Sequence, residues 1–163
     1  MILLTNDDGV ESVGIKALSL ALKGAGHTVT VIAPSKQQSG SGMKVSLNDI
    51  AVEEIKNDVW SVEGTPSDSV SVGIQQIMAG QEIDLVISGP NFGQNLGSNV
   101  FVSGTVGAAM EGALIGVPSV SLSFAYFEDI HGKEPSGWTQ NELLEPACEQ
   151  ALDIILDDLY PKR

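Results

Sequence analysis

The chain has 163 residues, 42% of them hydrophobic, which suits one well-buried domain and excludes a disordered chain. A net charge of −13 with only eight Lys and Arg excludes a DNA, RNA or anionic-membrane surface, since those need clustered basic residues. A single cysteine, Cys148, excludes an internal disulfide and falls at an apolar helical position, where a free thiol packs as a small hydrophobe. The start, Met1-Ile2-Leu3-Leu4, lacks a basic leader and runs at once into Asp7-Asp8, so it reads as a strand rather than a signal peptide. No apolar run reaches membrane-spanning length, and the expected compartment is the cytoplasm.

In chain order, Ile2 to Thr5 is a short apolar run closed by Asn6-Asp7-Asp8-Gly9, which predicts a buried strand ending in a turn. Leu18, Ala21, Leu22 and Ala25 recur at helical spacing, and Gly26 stops that helix. Thr28 to Ala33 is a β-branched strand stopped by Pro34, and a polar loop from Ser35 to Gly42 follows without periodicity. Residues 43–62 alternate like strands, at Met43 to Leu47, Ile50 to Ile55 and Val59 to Val62, and are expected to form a hairpin or edge excursion. Thr65-Pro66 opens a helix with proline at its first position, and Val70, Ile74, Ile77 and Met78 line its apolar face.

Asp84 to Ser88 predicts a further strand ended by Gly89-Pro90, after which a long Gly/Asn loop runs to Ser103. A helix carrying Val106, Ala109, Met110, Ala113 and Leu114 comes next, then a strand from Pro118 to Ser123. A last amphipathic helix is expected from about Asn141 to Leu159. Strands alternating with helices predict one α/β domain over residues 1–163, a Rossmann-like, doubly wound and mostly parallel sheet with helices on both faces. In such sheets ligands bind outside the carboxyl ends of the strands.

Three polar loops would meet at that edge. Adjacent carboxylates Asp7 and Asp8 are costly to hold together unless a cation neutralises them, and with neutral oxygens they suit Mg²⁺, Mn²⁺ or Ca²⁺; the plain alternative is a solvated turn. Ser39 could add a hydroxyl ligand and Gly40 lets backbone approach a ligand, although a surface loop has the same composition. Asn91 offers a neutral oxygen, and Ser103-Gly104-Thr105 opens a helix whose free N–H groups suit a phosphate or merely receive a cap. His27 reads as structural at a helix-to-strand turn, whereas His131 reads either as a proton donor to a leaving group or as a surface residue. No His/Cys cluster exists for a structural zinc.

Asn6-Asp7-Asp8-Gly9, Ser39-Gly40, Gly64-Thr65-Pro66, Ser88-Gly89-x-Asn91-x-Gly93-x-Asn95 and Ser103-Gly104-Thr105-Val106-Gly107-Ala108-Ala109 resemble, in order and spacing, the motifs of the SurE family over residues 1 to 125. Pro90 and Ser123-Phe124-Ala125-Tyr126-Phe127 look more like its eukaryotic, acid-phosphatase-like branch. The resemblance implies one divalent cation per subunit, Mg²⁺ or Mn²⁺ with Ca²⁺ a substitute in crystals, on Asp7, Asp8, Ser39 and Asn91. It also implies substrate and phosphate contacts from Asn6, Gly40, Asn95, Ser103, Gly104 and Thr105, with Asp7 or Asp8 orienting a water. The implied activity is hydrolysis of 5'- and 3'-nucleotides and other small phosphomonoesters. Family members run longer and carry a C-terminal arm that builds a homodimer. This chain stops at Arg163, so the expectation is either a truncated or minimal member or a sequence from which part of the gene product is absent, and the dimer expectation is weakened.

Two rival readings stand beside the enzyme. A phospho-receiver domain also has paired acids after strand one, but it needs a Lys after a late strand, where this chain has Ser123-Phe124-Ala125. A metal-dependent nucleotide-binding module without turnover fits the same residues and differs only in catalysis.

Overall fold

A computed structural model of the chain describes residues 1–124, 148, 149 and 151–155. β1 (Ile2–Thr5) is buried along its whole length, as expected of a parallel strand covered on both faces. It is followed by α1 (Val13–Gly24), β2 (Val29–Pro34), β3 (Val52–Lys56), β4 (Val59–Val62) and α2 (Pro66–Val72). α2 runs on into a π-helical turn over Gly73–Ile77, and then come β5 (Leu85–Phe92), α3 (Asn99–Val102), α4 (Gly104–Ile115) and β6 (Ser119–Phe124).

The sheet order is β3-β4-β2-β1-β5-β6, and every neighbouring pair is parallel except β3 with β4. β3 lies at an edge and exposes Glu53, Glu54 and Lys56, charges that discourage pairing with another chain. Chain order reverses direction across the sheet between β1 and β5, which makes their carboxyl ends the topological switch point.

Alternation along the strands divides the core. Ile2, Leu4, Val31 and Ile87 face Leu18 and Leu22 of α1, while Leu3, Ile32 and Val86 face Val70 of α2 and Ala108 of α4. The first cluster also takes in Cys148, Leu152 and Ile155, and the described residues from 148 to 155 are helical. The expected core role of Cys148 and the doubly wound sheet are therefore both present. The rest of the helix expected over 141–159, and all of 126–140 with His131, lie outside the described residues.

Three local expectations need correction. Residues 43–47 form no strand, because Lys44 O accepts from the Thr65 hydroxyl and Ser46 N–H donates to Asp68, partners that a strand would have found across a ladder. β5 does not end at Gly89-Pro90 but runs to Phe92. The peptide between those two residues is cis, Gly89 has φ 127°, and its register with β6 slips between Ser88 and Asn91. A Cβ at Gly89 would lie 2.4 Å from Leu122 O, so only glycine lets the strand bulge there and continue. Finally, the Gly/Asn stretch before Ser103 contains the short helix α3.

Candidate active site

The loop after β1 is shaped by Asn6, which is fully buried. Its side-chain oxygen accepts from Gly9 N–H at 3.1 Å, and its Nδ2 donates to Gly9 O at 3.1 Å and to Ser12 Oγ at 2.7 Å. Both ends of the amide are therefore engaged in holding the turn that presents Asp7 and Asp8. The loop after β2 is tied to this turn by Gln38 N–H donating to Asp7 O at 2.7 Å and by Val10 N–H donating to Pro34 O at 2.8 Å. The same loop reaches the third segment through Gly42 N–H, which donates to Val102 O at 2.9 Å. The three polar loops meet at one edge.

Asp7 is 4% exposed and accepts from Thr105 Oγ1 at 2.7 Å, a contact between the end of β1 and the first turn of α4. Burial pushes its carboxyl above the ordinary 3.8, against the lowering effect of that hydroxyl and of backbone N–H groups. Asp8 is half-buried, and its carboxyl is also raised, first by burial and then by repulsion from Asp7. Its Oδ2 is buried and has no hydrogen-bond partner among the described residues.

α4 begins where these carboxylates lie. Ser103 caps it, accepting from Val106 N–H at 3.2 Å. At Gly104 a Cβ would sit 2.5 Å from Ser41 Oγ and 2.9 Å from Asp7 Cβ, so the helix start, the β1 turn and the β2 loop touch only because this residue is glycine. Ser41 Oγ is buried there without a partner among the described residues. Asn91 is half-buried and donates through Nδ2 to Gly93 O at 2.8 Å. Asn95 donates to Ser123 Oγ at 2.8 Å. Ser39 is exposed and accepts from Gln37 Nε2 at 3.1 Å, and Gly40 is exposed in a left-handed turn with φ 76°.

Thus Asp7, Asp8, Gly104 and Thr105 are brought together, with Ser103 capping the same helix, while Ser39 and Gly40 are exposed and make no contact with the carboxylates among the hydrogen bonds of the described residues. Ser41 was not singled out in the sequence. The only signal for it was a second Ser-Gly pair in a loop without periodicity, and its inward position depends on the distant Gly104. His27 lies before β2, on the opposite edge from the carboxylates.

This chemistry fits a hard cation. Two desolvated carboxylates, one with an unpaired buried oxygen, stand near the neutral hydroxyl oxygens of Thr105 and Ser41. Among the described residues no group of three or more His, Cys, Asp and Glu side chains could hold a metal, so any ion here would lean on those neutral oxygens. Nor is any helix among the described residues long and apolar enough to cross a membrane.

A Rossmann-like α/β protein with a paired-carboxylate site at its switch point is the class these features define. The family described as survival protein SurE matches residues 2–160, and the chain belongs to that family, which generally uses a divalent cation. Relatives named 5'-nucleotidase SurE include those of Methylocella silvestris (42% identical, 85% of this chain and 54% of the relative) and Gloeobacter violaceus (44%, 76% and 49%). A third, from Beijerinckia indica, is 40% identical over 98% of this chain and 64% of its own length. The crystal structure of the SurE protein from Aquifex aeolicus superposes with a TM-score of 0.80 at 35% identity, covering 96% of this chain and 60% of that one. The chain thus spans about half to two thirds of the length of these relatives.

Proposed function

We propose that this chain carries the catalytic site of a divalent-metal-dependent phosphomonoesterase, a 5'/3'-nucleotidase acting on nucleoside monophosphates. The observation that carries the reading is the pair Asp7 and Asp8, desolvated at the β1–β5 switch point and facing the amino terminus of α4. The names of the relatives agree with it.

Asp7, Asp8, Asn91 and Ser39 would hold one Mg²⁺ or Mn²⁺ per subunit, with Ser41 the hydroxyl already turned inward. When bound, such a cation supplies positive charge to the phosphoryl oxygens and lowers the pKa of a water it holds. Thr105 keeps Asp7 in one orientation through its 2.7 Å hydrogen bond. Asp8, whose Oδ2 has no partner among the described residues, would accept a proton from the attacking water. At the start of α4 the Gly104 N–H is the donor to offer a non-bridging oxygen, because the Asp7 carboxylate takes that of Thr105 and the Ser103 hydroxyl that of Val106. In a protein of net charge −13 this donor and the cation must provide the local attraction for a phosphate dianion.

The test is phosphate release from a panel of nucleoside monophosphates and p-nitrophenyl phosphate, with Mg²⁺, Mn²⁺ or EDTA. Turnover that requires metal and falls at least about a hundredfold in Asp8→Asn is expected, the usual scale for a lost catalytic group. Metal-dependent nucleotide binding without turnover would instead make the chain a binding module.

A further inference from the structure

The sheet face beneath α2 and α4 carries an apolar layer and, nearer the carboxyl edge, a layer of hydroxyls. Leu3 of β1, Val86 of β5, Val70 of α2 and Ala108 of α4 belong to one cluster. Two residues further along each strand the side chain returns to the same face, which places Thr5 above Leu3 and Ser88 above Val86. Thr5 and Ser88 are also partners in register. One helical turn earlier, Ser67 stands above Val70 and Thr105 above Ala108, and both helices start at this edge of the sheet.

All four residues are 0% exposed. Thr105 has a partner, since its hydroxyl holds Asp7. Thr5 Oγ1, Ser67 Oγ and Ser88 Oγ have none among the described residues. Native proteins seldom leave one buried hydroxyl unpaired, and three in one layer call for a common partner.

We propose that this layer is a binding site for ordered internal water, held by Thr5, Ser67 and Ser88 and forming the floor behind Thr105 and Asp7. A buried water makes about three hydrogen bonds, and three hydroxyls in one layer meet that need with no charge involved. The inference rests on packing and hydrogen-bond satisfaction alone. It holds or fails independently of the nucleotidase reading.

Two measurements on the full chain test it. A crystal structure that shows ordered solvent is expected to place a water within roughly 3.2 Å of at least two of the three hydroxyls. Thr5→Val keeps the shape but removes one partner, and is expected to lower Tm by about 2–4 °C. Should that variant fail to fold, Ser88→Ala gives the same reading with a smaller change in volume. A dry layer, or a Tm that holds or rises when a hydroxyl is removed, overturns the proposal, because deleting a truly unpaired buried hydroxyl relieves a penalty.

Discussion

Asp7 and Asp8 are held where their charges are unwelcome. Burial raises both carboxyls above 3.8, and Asp7 adds repulsion at Asp8. A raised folded-state pKa means the folded chain keeps its protons longer than the unfolded one. From these two groups, metal-free stability is therefore greatest below 3.8 and falls as pH rises through the raised values. Asp8→Asn removes one charge without changing shape, so in EDTA near neutral pH its Tm should exceed that of the wild type, with the gap closing in acid. Thermal melts from acid to neutral pH check this, and a gap independent of pH would count against it. Mn²⁺ should then raise the wild-type Tm more than that of the variant, because only ligand bound to the folded state stabilises it. The acidic pair was visible in the sequence after a buried strand, where it read as a cation site or a solvated turn until it was taken with the other polar loops. Ser41 was not: it differs from Ser39 by two positions in a loop without periodicity. The choice between them is made by Gly104, far along the chain.

At the scale of elements, α2 shows how one side chain can order a loop. Thr65 and Asp68 form a capping box, and Asp68 also accepts from Ser46 N–H at 2.8 Å and from Ser46 Oγ at 2.7 Å. Burial works against the charge, but these hydrogen bonds outweigh it and hold the Asp68 carboxyl below 3.8. Its stabilising contribution is thus present above 3.8 and is lost as pH falls through the lower folded value. Asp68→Ala removes the cap and leaves the Ser46 donors unpaired, for an expected loss of about 2–3 kcal/mol measured by urea unfolding. A loss under about 0.5 kcal/mol would show that Ser46 and Thr65 find water instead. Thr65-Pro66 announced this helix in the sequence, because proline and a β-hydroxyl are local signals. The link from Asp68 to Ser46 spans 22 positions and gave no local sign, which is why residues 43–47 read as a strand. Similarly, Gly89-Pro90 reads as a strand end unless Leu122 is known to lie across from it.

For the whole molecule, alternation of strands and helices was enough to read a parallel sheet covered on both faces. The hairpin or edge excursion expected within residues 43–62 is the antiparallel pair of β3 and β4, with β3 at the sheet edge. Net charge was legible from the start, and it makes a prediction that the site alone does not. A chain with 21 acidic and eight basic residues repels a phosphate dianion at long range, while the cation and the α4 donor attract it only at contact. Salt screens the first effect over about 10 Å at 0.1 M and leaves the buried contact far less affected. At fixed free metal, kcat/KM for a nucleoside monophosphate should therefore rise as KCl increases from about 10 to about 200 mM, the range over which the screening length drops below the size of the domain. A fall over the same range would mean that the field at the mouth of the site is already positive and steers the substrate inward. The sign of that slope, read with Asp8→Asn as the blank for turnover, separates repulsion by the whole surface from attraction by the site.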